Sequence, residues 1–231
     1  MRRNVHDDGP VLPTLSGVSL LRSEDPVGPL ASLAIDRLLT EDGRVWWADA
    51  GGHARTDALA RVAPSRGLLD RVRVARAFTA TQHASLLGTL ERRVTPNAAL
   101  VVCPALDARY RDEDLPAGEP AALLAAAVER VARIAASGVP VLLTLDAEDD
   151  LSEPVVRAVD ERLEHESTRF GPRFVGGGFE TLVYPRRDGT VQTTLAYWRR
   201  VLERRAAATG TGIGTGTGPD PRSEVGAGGA D

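Results

Sequence analysis

Lysine is missing from this chain: its 28 lysine-or-arginine positions are all arginine. The absence excludes any phosphate-binding loop that rests on a lysine ammonium. Cysteine is nearly missing too. A single one, Cys103, excludes an intrachain disulfide and fits a reducing compartment, so a cytoplasmic location is expected. No uninterrupted apolar run approaches the length of a membrane span, so no membrane partner is expected. Behind Arg2 and Arg3 the chain continues Asn4-Val5-His6-Asp7-Asp8, without the apolar stretch of a secretory signal. A net charge of −4 does not mark the whole surface for nucleic acid. What is present is ordinary for a globular chain: 42% apolar and 26% charged residues over 231 positions, ample for one core.

Residues 1–14 are polar and interrupted by proline, and are expected to form a flexible lead. Residues 206–231 are Gly/Thr-rich and have too little apolar area to offset the entropy of ordering, so disorder is expected there. Residues 15–205 between them are read as one core domain. Strands are predicted at Val18–Leu21, Arg44–Ala48, Arg71–Ala75, Ala98–Cys103 and Val139–Leu145. Helices are predicted at Pro29–Leu39, Thr81–Arg93 and Glu119–Ala136, the last with Leu124, Ala127, Val128, Val131 and Ile134 on one face. Glu153–Glu166 reads as a polar helix, and Phe179–Tyr184 with Thr190–Tyr197 as a hairpin turning at Asp188-Gly189. The alternation predicts an α/β fold: a mostly parallel central sheet, helices on both faces and a C-terminal β-hairpin.

After the first strand the chain turns through Ser23-Glu24-Asp25-Pro26-Val27-Gly28-Pro29-Leu30. A phosphate loop at such a corner has the form G-x-x-x-x-G-K-[ST], with amides and a lysine on the phosphates and a hydroxyl on Mg²⁺. Gly28 stands for its second glycine. Ser23 stands for the first, Pro29 for the lysine and Leu30 for the hydroxyl residue. Glu24 and Asp25 oppose an anion, so no cofactor is expected, residual ATP binding through backbone amides being disfavoured by the same two carboxylates. The plain alternative is an ordinary strand–turn–helix corner.

Several stretches, in order, resemble the ATPase core of RecA/RadA-type recombinases, the archaeal RadA branch in particular. Val45-Trp46-Trp47-Ala48-Asp49-Ala50-Gly51-Gly52-His53-Ala54-Arg55 is similar to that family's aromatic–Ile-Asp-Thr-Glu segment followed by an arginine. Arg71-Val72-Arg73-Val74-Ala75-Arg76-Ala77-Phe78, then Gln82 and Leu86-Leu87, resembles its VARAF/Y stretch. Leu100-Val101-Val102-Cys103-Pro104 and Ala108-Arg109-Tyr110-Arg111-Asp112-Glu113 resemble its VVDS strand and the FR-x-E opening its first DNA-facing loop. Val141-Leu142-Leu143-Thr144-Leu145-Asp146 resembles its VVTNQV strand. The likeness runs from about Gly17 to Trp198 and implies a RecA-like P-loop NTPase fold.

The departures fall on the chemistry. By the resemblance, Gly51 takes the place of the activating glutamate, Cys103 that of the metal-linked aspartate, and Asp146 that of the sensor glutamine. With Pro29 and Leu30, these replacements remove the groups that would handle phosphate, metal and water, so no appreciable ATP hydrolysis is expected. Asp49 ends a strand where acids ligate metals, although a turn former is the commoner use of an acid there. Cys103 is otherwise a core residue, and His6, His53, His83 and His165 lack metal-ligand spacing. Trp46 and Trp47 present one ring to each sheet face.

Arg109 and Arg111 fall in the stretch resembling the first DNA-facing loop, and Arg169 and Arg173 where the second would be. They are the candidates for contacting phosphates of single-stranded DNA, with Asp112, Glu113, Asp114, Glu164 and Glu166 opposing them. Arg71 and Arg73 alternate onto one side of a strand and are candidate interface residues. The expectation is a non-catalytic RecA/RadA-like paralogue that modulates recombination or repair by binding a recombinase or homologous subunit, with single-stranded DNA as a second partner. The alternatives are a nucleotide-sensing regulator of the circadian-clock or signalling type on the same fold, and an enzyme using Glu24, Asp25 and Asp49.

Overall fold

The computed structural model describes residues 12–168, 171–176, 179–180, 199, 201–203 and 205–207. Among them the strands are β1 (Val18–Arg22), β2 (Val45–Asp49), β3 (Val72–Arg76), β4 (Leu100–Cys103), β5 (Val141–Leu143), β6 (Glu161–Thr168), β7 (Gly171–Gly176) and β8 (Phe179–Glu180). The α-helices are α1 (Val27–Thr40), α2 (Thr56–Val62), α3 (Ala80–Arg93), α4 (Glu119–Ala136) and α5 (Glu153–Ala158), with 3-10 turns at Arg66–Arg71 and Ala108–Arg111.

These strands form one sheet in the order β3-β2-β4-β5-β1-β6-β7-β8. From β3 to β6 every pairing is parallel, while β7 runs antiparallel to β6 and to β8. The expected α/β architecture with a mostly parallel sheet is therefore present. Chain order explains the two layers: β1 and β2 cross toward β3 through α1 and α2, whereas β3, β4 and β5 cross the other way through α3, α4 and α5. Crossovers of one hand then send the two groups to opposite faces. On one face Leu30, Leu33 and Leu38 of α1 bury against Trp47, Val102 and Leu142. On the other, Leu87, Leu124 and Val131 bury against Val101 and Leu143. Trp47 is fully buried in the first layer and Trp46 packs partly against the second, one ring per face.

Local chemistry sets the ends. Thr79 caps α3 by accepting from the Gln82 N–H at 3.2 Å, and the Phe78 N–H donates to Gln82 Oε1 at 2.9 Å. α4 starts with proline in its first turn after Gly118 and stops before Gly138, both glycines in the left-handed region (φ 85° and 89°).

Three expectations change. Glu153–Glu166 is not one helix: α5 ends at Ala158 and Glu161–Thr168 is β6. The physical reason is a period-two pattern, with Leu163 and His165 buried between exposed charged neighbours. Asp160 sets that strand beside β1 by accepting from the Val18 N–H at 2.8 Å and donating its own N–H to the Val18 carbonyl. Second, Arg71 belongs to the 3-10 turn before β3, so it does not alternate with Arg73 along a strand. Third, the core reaches past the compositional boundaries at 14 and 206: Leu12 and Ala206 are buried with Leu202 against α1. Most of the hairpin predicted at 179–197, and Arg169, lie outside the described residues. No helix among the described residues is long and apolar enough to cross a membrane.

Candidate functional site

In an open parallel sheet, ligands bind beyond the carboxyl ends of the strands, where neighbouring strands send their connections opposite ways. Here the junction between β2 and β4 and that between β5 and β1 both meet that condition. Ser23, Asp49, Gly51, Cys103 and Asp146 lie at or just after the carboxyl ends of β1, β2, β4 and β5, whereas Arg71 lies before β3 at the opposite edge.

At the β1–α1 corner the Ser23 hydroxyl donates to the Asp25 carbonyl at 2.9 Å and lies 2.9 Å from His165 Nδ1. Burial pushes the His165 pKa down to about 4, with Asp25 opposing. Asp25 accepts from the Val27 N–H at 3.2 Å, so the first amide of α1 already faces a carboxylate. Gly28, Pro29 and Leu30 are buried in α1, and Leu30 is part of the core. Leu30, which the sequence resemblance sets in the place of a hydroxyl residue, is thus an apolar side chain turned inward. Arg22, the last residue of β1, makes a two-pronged ion pair with Glu148 and reaches Glu164 at 3.1 Å. A cavity of about 270 Å³ opens here between Arg22, Ser23, Pro26, Thr144 and Glu148. A second, of about 170 Å³, lies beside Gly28, Arg55, Arg61, His165 and Ser167.

Asp49 is a turn former. Its buried carboxylate accepts from the N–H groups of His53 and Ala54 at 2.9 and 3.1 Å and from Arg76 at 3.1 Å. Gly51 follows on the surface, and a Cβ built on it would lie 2.5 Å from the His53 ring and 2.8 Å from the Ala105 methyl. The local packing therefore leaves no ready space for a glutamate at this position.

Cys103 is fully buried, and burial pushes its thiol up to about 12, so it is a core group and not a thiolate. The chain after it turns at Ala105, a non-glycine residue with φ 46°. The turn is held from the residue just after β5: the Thr144 hydroxyl accepts from the Ala105 N–H at 2.8 Å, and its carbonyl from the Leu106 N–H at 3.0 Å. Asp107, buried, accepts from the N–H groups of Asp146 and Ala147 at 2.7 and 3.2 Å and from Arg111 at 2.6 Å. Asp146 is exposed and joins this network through its backbone.

The arginine candidates are tied into the fold. Arg111 holds Asp107, Asp149 and the Ala147 carbonyl together. Arg109 donates to the Ala50 carbonyl at 2.8 Å. Arg173 pairs across strands with Glu166 at 3.6 Å and Glu180 at 3.0 Å. Arg71 donates to the carbonyls of Leu38, Glu41 and Gly43, closing the end of α1. Arg73 is exposed, with one donor on the Asp70 carbonyl.

Sequence reasoning missed Asp107, Thr144, Arg22, Glu148 and the Ser23–His165 contact. Asp107 and Arg111 do stand one helical turn apart, a legible pairing signal; the other partners lie far away in sequence. Among the described residues no group of three or more His, Cys, Asp or Glu side chains is placed to hold a metal ion. Comparison with known protein-family models gives no match, and neither does comparison with curated proteins.

Proposed function

We propose that this protein is a non-catalytic RecA/RadA-like paralogue that acts by docking on a recombinase subunit and so modulates DNA recombination or repair. Support for the scaffold comes from the parallel sheet with β1 feeding a corner and helix, and from the ordered sequence stretches that resemble that family. Support for the loss of catalysis comes from the corner and from the ends of β2 and β4. Leu30 is in the core, Arg22 is neutralised by two glutamates, Gly51 is crowded by His53, and Cys103 is buried and uncharged.

The observation that carries docking is the β3 edge. Its outer side has no strand partner among the described residues. Val74 at 44% and Phe78 at 71% are the exposed large hydrophobics among those residues, flanked by exposed Arg73 and Arg76. An open edge with alternate apolar and basic side chains suits an extended segment of a partner. Size-exclusion chromatography with the recombinase of the same cell tests this. Co-elution that Phe78→Asp abolishes supports the reading, and no association at any salt concentration counts against it.

The second reading, a nucleotide-sensing regulator, draws on the cavity beside Gly28, Arg55 and Arg61. A rise in melting temperature with Mg·ATP would favour it, because a ligand that binds only the folded state must stabilise it.

A further inference from the structure

The Arg22 corner lines a cavity, carries an arginine fork and is filled from within. Both Glu148 oxygens sit on Nε and Nη2 of Arg22, and Glu164 sits on Nη1 at 3.1 Å. Two carboxylate oxygens on a guanidinium fork have the arrangement that two oxygens of a phosphate would take. Glu148 does not reach this place as a free surface side chain. The residue before it is fixed through its N–H to Asp107, and the residue after it through both oxygens to Arg111, at 2.7 and 3.0 Å. The β5–α5 connection thus presents Glu148 to the end of β1 from a pinned position.

We propose that the Arg22 corner is a masked oxyanion site, with Glu148 standing in cis where a small anion such as pyrophosphate would sit beside Ser23, Pro26 and Thr144. This rests on the reading above that the corner has lost its phosphate chemistry, and it names what keeps anions out. The mask is electrostatic as well as steric. Removing Glu148 frees two arginine donors and deletes a negative charge from the 270 Å³ cavity. The pair is about one-third exposed (35% and 36%), so losing it leaves the fold intact.

The test is pyrophosphate titration of the full chain by calorimetry and thermal shift, with folding checked by circular dichroism. Glu148→Gln is expected to bind pyrophosphate on the order of tenfold more tightly than the parent. Arg22→Gln in the same background is expected to abolish the gain. Glu148→Asp, which keeps the charge but shortens the reach, is expected to give a smaller gain and covers the case in which Glu148→Gln is poorly folded. Folded variants that respond like the parent, or a gain that survives loss of Arg22, would overturn the mask. Neither result touches the partner assay, and a failed partner assay leaves the mask standing.

Discussion

The buried carboxylate of Asp107 accepts a hydrogen bond from the backbone N–H of Asp146 at 2.7 Å. Two acidic residues thus meet through a main-chain donor, and the β4 and β5 ends are joined. Arg111 completes the arrangement at 2.6 Å. Removing the Asp107 carboxylate leaves two amides and one donor of the partly buried Arg111, which keeps Asp149, without their acceptor, so Asp107→Ala should cost about 1–3 kcal/mol. Urea unfolding measures this. A loss under about 1 kcal/mol would mean that the network is ornamental.

Two buried histidines and one buried aspartate give acid stability opposing slopes. Burial pushes His83 and His165 from the ordinary 6.5 down to about 4. The folded state then binds fewer protons than the unfolded chain in that window, so their stabilisation is present above about 6.5 and is lost toward 4. Asp36 behaves in the opposite way. Burial raises it from 3.8 to about 6 against the pull of Arg205 and Arg37, so its contribution declines as pH rises through that window. Asp36→Asn removes the opposing slope, and its acid limb should be steeper than the parent's when urea midpoints are compared from pH 7 down to about 4. An unchanged limb contradicts the assignment.

Much of this fold could be read in the chain. The apolar runs at Val18, Val45, Leu100 and Val141 are continuous because those strands are covered on both faces, which is the signature of a parallel sheet. β6 was hidden because five of its eight residues are charged or histidine, and a polar run reads equally as helix or strand until its period is weighed. α2 has only seven residues, too few for a periodic signal. The arginines were the least legible. Arg71 serves carbonyls of Leu38 and Gly43 about thirty positions away, and a backbone acceptor leaves no mark in a sequence. Asp49 was legible as a turn former, whereas Asp107 was not, because its amide partners belong to another strand's loop.

Introducing the glutamate that the proposed RecA/RadA likeness calls for at Gly51 should not confer activity. Gly51→Glu sets a Cβ 2.5 Å from the His53 ring, so it should destabilise by about 1–3 kcal/mol and give no ATP turnover. Denaturation and a phosphate-release assay report the two effects. A stable, hydrolysing variant would contradict the account of this edge.

Phe78 separates docking from folding. At 71% exposure its replacement by aspartate should move stability by no more than about 0.5 kcal/mol while partner binding is lost. A large drop in melting temperature would assign Phe78 to the fold, and undiminished binding would move the interface elsewhere.

The central claim is that the β1–α1 corner no longer handles nucleotide. Thermal denaturation of the purified protein with increasing Mg·ATP tests it most directly. The account predicts a melting temperature that does not move. A saturable rise that Gly28→Asp removes would contradict it.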